Sequence, residues 1–236
     1  MNRNTEDVRK EYGPRIAKTA LRMHAIKLAP HEPFTWASGY RMPIYNDNRR
    51  LLADAEARAL VAEGFEAMLE ALAIPFDSIA GTATAGIPHA TTLADRLGKP
   101  LTYVRSAGKD HGLKNLIEGL GSDLSYHGER VVLIEDLIST GGSSVKAVQA
   151  IRSAEGNVGH CLAIFTYGLQ ASFDAFAALD PVCTPLSLLD YDMMVATALE
   201  AGYVDAAGAA LLARWRTDPF GWGSANGFPP VAKEEA

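Results

Sequence analysis

The sequence predicts an α/β fold with a mainly parallel central sheet flanked by helices and a small N-terminal hood. Two observations predict it. Strand-like and helix-like segments alternate from residue 77 to residue 188, the pattern of parallel strands joined by crossover helices. Within that alternation, residues 131–144 read VVLIEDLISTGGSS, an apolar run that ends in two adjacent carboxylates and passes into a Ser/Thr/Gly loop. Such folds bind ligands at these strand-to-helix junctions, beyond the carboxyl ends of the strands.

In chain order, Pro14 introduces an amphipathic helix predicted over residues 15–28, and the aromatic, Ser and Gly mixture of residues 34–46 suggests short strands or a hairpin. Residues 1–50 together make the hood. Residues 53–73 form a helix, because Val61, Phe65, Met68 and Leu72 recur at helical spacing on one face. A strand over 77–80, a helix over 87–97 and a strand over 101–104 follow, then a polar stretch to His127. After the strand at 131–134 and a helix over 144–153 come the strand-like and helix-like segments 157–167, 173–179 and 182–188. Residues 192–216 read as helical and close a core spanning 51–217. The Gly- and Pro-rich segment 218–236 reads as a loosely held tail.

Composition narrows the function. The net charge of −6 and the absence of a Lys/Arg-rich block disfavour nucleic acid as a partner. No stretch is long and apolar enough to span a bilayer, and the charged first 30 residues do not read as a secretory signal, so a cytoplasmic protein is expected. Cys161 and Cys183 are isolated thiols in apolar surroundings, expected to be buried.

The loop after residue 134 is built to take an anion. Free N–H groups at the start of a helix favour phosphate, and Gly141 and Gly142 allow close approach to the backbone. Glu135 and Asp136 would repel phosphate, so they should face hydroxyl donors or a developing positive charge. A phosphorylated ribose offers both. No Walker-type Lys and no dinucleotide fingerprint accompany the loop. VVLIEDLISTGGS resembles the phosphoribosyl-pyrophosphate signature of type I phosphoribosyltransferases across its length. The resemblance implies that Glu135, Asp136, Leu137, Ile138, Ser139, Thr140, Gly141, Gly142 and Ser143 bind phosphoribosyl pyrophosphate.

A second segment, RSAGKDHGLKNLIEG over residues 105–119, gathers Arg105, Lys109, His111 and Lys114 into a polar patch with no periodic apolar face. It is similar to the catalytic loop of orotate phosphoribosyltransferases. In that family the loop closes over the partner subunit's site, so the resemblance implies a homodimer in which Arg105, Lys109 and His111 meet pyrophosphate in trans. Lys109, His111 and Asp136 are then the catalytic candidates. Residues 81–88, GTATAGIP, resemble the family's pyrophosphate-contacting loop, with Ala85 where many relatives carry Lys. Residues 34–49, FTWASGYRMPIYNDNR, resemble its hood over the base, with Tyr45 either stacked on the pyrimidine or filling a small core. Met42, Ala37 and Ser106 depart from residues common in the family. The resemblance also implies that Ser139 reaches the base and that Mg²⁺ arrives bound to the substrate, with no direct protein ligands. His24, His31, His89, His127 and His160 read as surface or satisfied polar groups. The implied reaction joins orotate to phosphoribosyl pyrophosphate.

Overall fold

The computed structural model describes residues 4–36, 38–106 and 116–231. Ala37, Lys109, His111 and Lys114 therefore lie outside the described residues. The chain opens with helix α1 (Thr5–Arg22) and four short strands, β1 (Ile26–Leu28), β2 (Phe34–Thr35), β3 (Arg41–Met42) and β4 (Ile44–Asn46). A 3-10 helix (Asn48–Ala53) leads into α2 (Ala55–Leu72), β5 (Ser78–Thr82), α3 (Gly86–Leu97), β6 (Leu101–Val104) and β7 (Ile117–Glu118). Then come β8 (Arg130–Ile138), α4 (Gly142–Ser153), β9 (Asn157–Thr166), α5 (Gln170–Ala177) and β10 (Thr184–Asp190). Helices α6 (Tyr191–Glu200), α7 (Ala206–Thr217) and α8 (Trp222–Ala225) complete it.

The central sheet runs β10-β9-β8-β5-β6-β7. Its pairings are parallel except for the edge pair β6 and β7. The predicted sheet is thus present, with one addition inside the polar stretch: β7 pairs antiparallel with β6, Val104 opposite Ile117. Two residues of strand leave no periodic signal, which is why the sequence conceals it. The pleat divides the core. Val132 and Ile134 point to a cluster that includes Phe65, Leu93, Leu188 and Trp215, whereas Val131 and Leu133 point to one that includes Val148, Ile151 and Phe176. Helices α1, α2, α3 and α6 therefore cover one face, and α4 and α5 cover the other.

Three expectations change. Helix α1 starts at Thr5, upstream of Pro14 rather than after it, because a capping box fixes its beginning. The Asn4 side chain accepts from the Asp7 N–H at 2.9 Å, and the Asp7 carboxylate accepts from the Asn4 N–H at 3.2 Å. Val8 and Ile16 are buried along one side, and this packing offsets the hydrogen bond that Pro14 cannot donate. The chain leaves the helix at Met23 and His24 and is already in β1 by Ile26. Likewise, residues 192–216 form two helices. Gly202 adopts φ +72°, and the Asp205 carboxylate caps α7 by accepting from the Gly208 N–H at 2.7 Å.

The third change concerns residues 218–231, which are docked rather than loose. Trp222 is buried, stacks on Phe228 at 6.0 Å between ring centroids and donates its indole N–H to the Leu211 carbonyl at 2.9 Å. Val231 donates its N–H to the Gly39 carbonyl, tying the C-terminal segment to the hood. Turn-forming composition describes the local backbone well and says nothing about an aromatic anchor within it. Trp222→Ala should cost about 3–5 kcal/mol of stability, typical of truncating a large buried aromatic. Urea unfolding measures it, and a loss below about 1 kcal/mol would mean that the segment is not anchored.

Candidate active site

The acid pair lies inside β8, not beyond it, since the strand continues to Ile138. Although adjacent in the strand, the two carboxyl groups line one cleft and lie within hydrogen-bonding reach of each other. Glu135 follows Val131 and Leu133 toward α4, where its carboxylate accepts from the Ser144 hydroxyl at 3.0 Å and from the Asp136 N–H at 3.0 Å. Asp136 lies beside it in the same cleft. There the buried Asn48 donates its side-chain amide to the Asp136 carbonyl at 2.8 Å, tying the 3-10 helix to the strand.

Burial sets the charge of this pair. Burial first, and then the neighbouring Asp136 charge, raise the Glu135 carboxyl from its ordinary 4.5 to about 8. Burial also raises Asp136, opposed by hydrogen bonds from Glu135 and the backbone and by the positive charge of Arg49. Glu135 is the member that holds the proton.

The two helix starts beside the pair carry no side-chain cap. Asn4, Asp54, Asp190 and Asp205 cap α1, α2, α6 and α7 through their side chains, whereas α3 and α4 begin at Ala85 and Gly141 without a side-chain cap. The first hydrogen bond of α4 runs from the Val145 N–H to the Gly141 carbonyl at 2.9 Å. The donors ahead of it are left for a ligand. Gly141 makes the turn at φ +82°, a conformation a side chain would strain. At Gly86 space is the constraint: a Cβ would stand 2.7 Å from the Ile134 carbonyl and 2.7 Å from the Thr82 hydroxyl. Glycine lets the start of α3 lie directly on the strand that carries the acid pair.

These elements enclose a cleft of about 430 Å³. Glu135, Asp136, Leu137, Ser139, Thr140, Gly141, Gly142 and Ser143 all line it, as do Ala83, Thr84 and Ala85 of the loop before α3. The structure thus brings together most of the loop the sequence singled out. Ile138 is the exception, because its side chain is buried in the core and its carbonyl accepts from Thr166 and Tyr167. Arg105 lies at the end of β6, paired with Glu118 at 3.3 Å, and is not among the residues around the cleft. Tyr45 is 40% exposed, against a core role, with its ring 5.9 Å from that of Phe34.

The sequence missed Asn46, Asp47 and Arg49, which line the cleft, and Asn48, which supports it. The polar run NDNR directly after a strand-like segment was the available signal. His89 departs from the expectation of a satisfied group: it is buried in α3, its Nε2 has no hydrogen-bond partner, and burial lowers its pKa to about 4, so it is neutral. Cys161 and Cys183 are buried free thiols, as expected.

The raised Glu135 pKa has a pH consequence. Between 4.5 and about 8 the unfolded chain has lost a proton that the folded protein keeps, so this group lowers stability as pH rises through that window. Glu135→Gln should therefore flatten the decline in unfolding free energy from about pH 5 to about pH 8, read from urea titrations. An unchanged slope would show that Glu135 ionises normally.

Comparison with known proteins agrees with the geometry. A family model described as phosphoribosyl transferase domain matches residues 50–171. An orotate phosphoribosyltransferase of Enterococcus faecalis is 46% identical over 209 residues, covering 89% of this chain and 97% of the relative. One of Cutibacterium acnes is 42% identical over 217 residues, covering 92% of this chain and 97% of the relative. The crystal structure of orotate phosphoribosyltransferase from Aeropyrum pernix superposes with a TM-score of 0.66 at 28% identity, covering 80% of this chain and 99% of that one. With that identity spread over nearly the whole length, and with an acid-pair strand leading into an uncapped helix, the chain belongs to the orotate phosphoribosyltransferase family.

Proposed function

We propose that the protein transfers the phosphoribosyl group of phosphoribosyl pyrophosphate to orotate, giving orotidine monophosphate and pyrophosphate in the cytoplasm. The observation that carries this reading is the acid pair of β8, both members lining one cleft between the uncapped starts of α3 and α4. The donors from Ser139 to Ser143 hold the 5′-phosphate at the α4 dipole, with Leu137 against the ribose. Glu135 and Asp136 accept from the ribose diol. As the bond from the anomeric carbon to pyrophosphate breaks and N1 of orotate closes on that carbon, positive charge grows on the ribose. Asp136, half-buried at the cleft, stabilises that charge. Ser139 and Tyr45 orient the base. Arg105, Lys109 and His111 meet the departing pyrophosphate, His111 able to donate a proton.

Mg²⁺ fits this site as a passenger of the substrate. Among the described residues no group of three or more His, Cys, Asp or Glu side chains could hold a metal. The cation would neutralise pyrophosphate charge, with Asp136 and Asp47 near enough to the cleft to receive its water shell.

The test is consumption of orotate, against uracil, hypoxanthine and adenine, by purified protein with Mg²⁺ and phosphoribosyl pyrophosphate. Turnover of another base in place of orotate overturns the reading. The shared loop has its own test. Lys109→Ala and Asp136→Ala should each lower kcat/KM by about 100-fold or more. Mixed after subunit exchange, they should recover about a quarter of wild-type activity, because half the dimers are mixed and each has one intact site. Absence of recovery, with exchange demonstrated, excludes a loop acting in trans.

A further inference from the structure

We propose that Arg49 is a substrate-binding residue whose guanidinium holds the diphosphate group of phosphoribosyl pyrophosphate. The inference rests on the transferase reading above and adds a contact that neither of the two recognised loops supplies.

Its basis is the charge and layout of the cleft. Asp47, Glu135 and Asp136 line it, and Arg49 is the one Lys or Arg among its described lining residues. A diphosphate brought against three carboxyl groups needs a counter-charge. The loop Ala83 to Ala85 offers backbone and one hydroxyl but no cation. The Ser139–Ser143 donors at the start of α4 are committed otherwise, since they suit the 5′-phosphate. A phosphoribose anchored there extends past the acid pair into the rest of the same cleft, which Asp47 and Arg49 line.

The local structure prepares Arg49 for this task. Strand β4 ends at Asn46, the chain turns at Asp47, and Arg49 is the second residue of the 3-10 helix. Asn48 bolts that helix to the Asp136 carbonyl, and Leu51 packs into the core beneath it. The Asp47 carboxylate accepts from the Arg49 Nε at 2.6 Å. This orients the guanidinium while leaving both terminal nitrogens, the bidentate fork that suits phosphate oxygens, free of any partner among the described residues. Arg49 is 63% exposed on its side chain, so its guanidinium is accessible to a ligand while paired with Asp47. Beside it, the Asn46 amide is buried against the cleft with neither its oxygen nor its nitrogen hydrogen-bonded. A buried amide unpartnered on both sides points to a polar ligand at this wall.

Arg49→Gln and Arg49→Lys, compared with wild type, separate the possibilities. Titration calorimetry with Mg²⁺-pyrophosphate and with orotidine monophosphate reads the diphosphate and the base-plus-5′-phosphate separately. Arg49→Gln should weaken pyrophosphate binding and raise KM for phosphoribosyl pyrophosphate by about 10–100-fold, the usual range for losing a charge-assisted contact. Orotidine monophosphate binding should stay within about twofold, and Arg49→Lys should recover part of the loss. Unchanged pyrophosphate binding overturns the proposal. So does weakening of orotidine monophosphate binding alone, which would assign Arg49 to the carboxylate of the base. Wild-type protein that binds neither ligand overturns the transferase reading itself, a distinct failure.

Discussion

Two adjacent carboxyl groups, one buried and one half-buried at a cleft, are the constraint around which this structure is arranged. They lie within hydrogen-bonding reach of each other, and the elements around them must supply the remaining partners. On one side Ser144 donates to Glu135 from the first turn of α4. On the other, Asn48 fixes the backbone at Asp136. The remaining cost appears as a proton retained on Glu135 at a pH where an ordinary carboxyl is ionised. A site that keeps its carboxylates poorly solvated while free is prepared to accept hydroxyl donors and to stabilise a cation.

The surrounding elements follow from the same requirement. Gly86 lets α3 begin against the acid strand, and Gly141 turns the chain so that α4 begins beside it. Both helices leave their first N–H groups without side-chain caps, whereas α1, α2, α6 and α7 are capped by Asn or Asp. Positive backbone dipoles thus flank a negative centre. This arrangement suits a ligand with phosphates at its ends and a sugar between them.

Much of this was legible in the chain. The alternation of strands and helices specified the sheet, and the acid pair with its glycine loop specified the cleft, because both depend on short-range patterns that the backbone translates directly. Interactions between distant segments were not legible. The capping box at Asn4 and Asp7 overrode the stop signal of Pro14, and Trp222 docked a segment whose composition suggests a loose end. Nor does any pattern link Asn48 to Asp136, 88 positions apart. Ile138 stands apart from the rest of the motif because its side chain is buried in the core, which a motif read as a block does not reveal.

The most direct measurement is the proton balance of substrate binding. If the ribose hydroxyls take over the hydrogen bonding of the acid pair, binding must discharge the proton held by Glu135. Calorimetry of phosphoribosyl pyrophosphate with Mg²⁺ near neutral pH, repeated in buffers of different ionisation enthalpy, should show release of about one proton more in the wild type than in Glu135→Gln. Equal proton release by the two proteins would contradict the account, because the buried pair would then play no part in receiving the ribose.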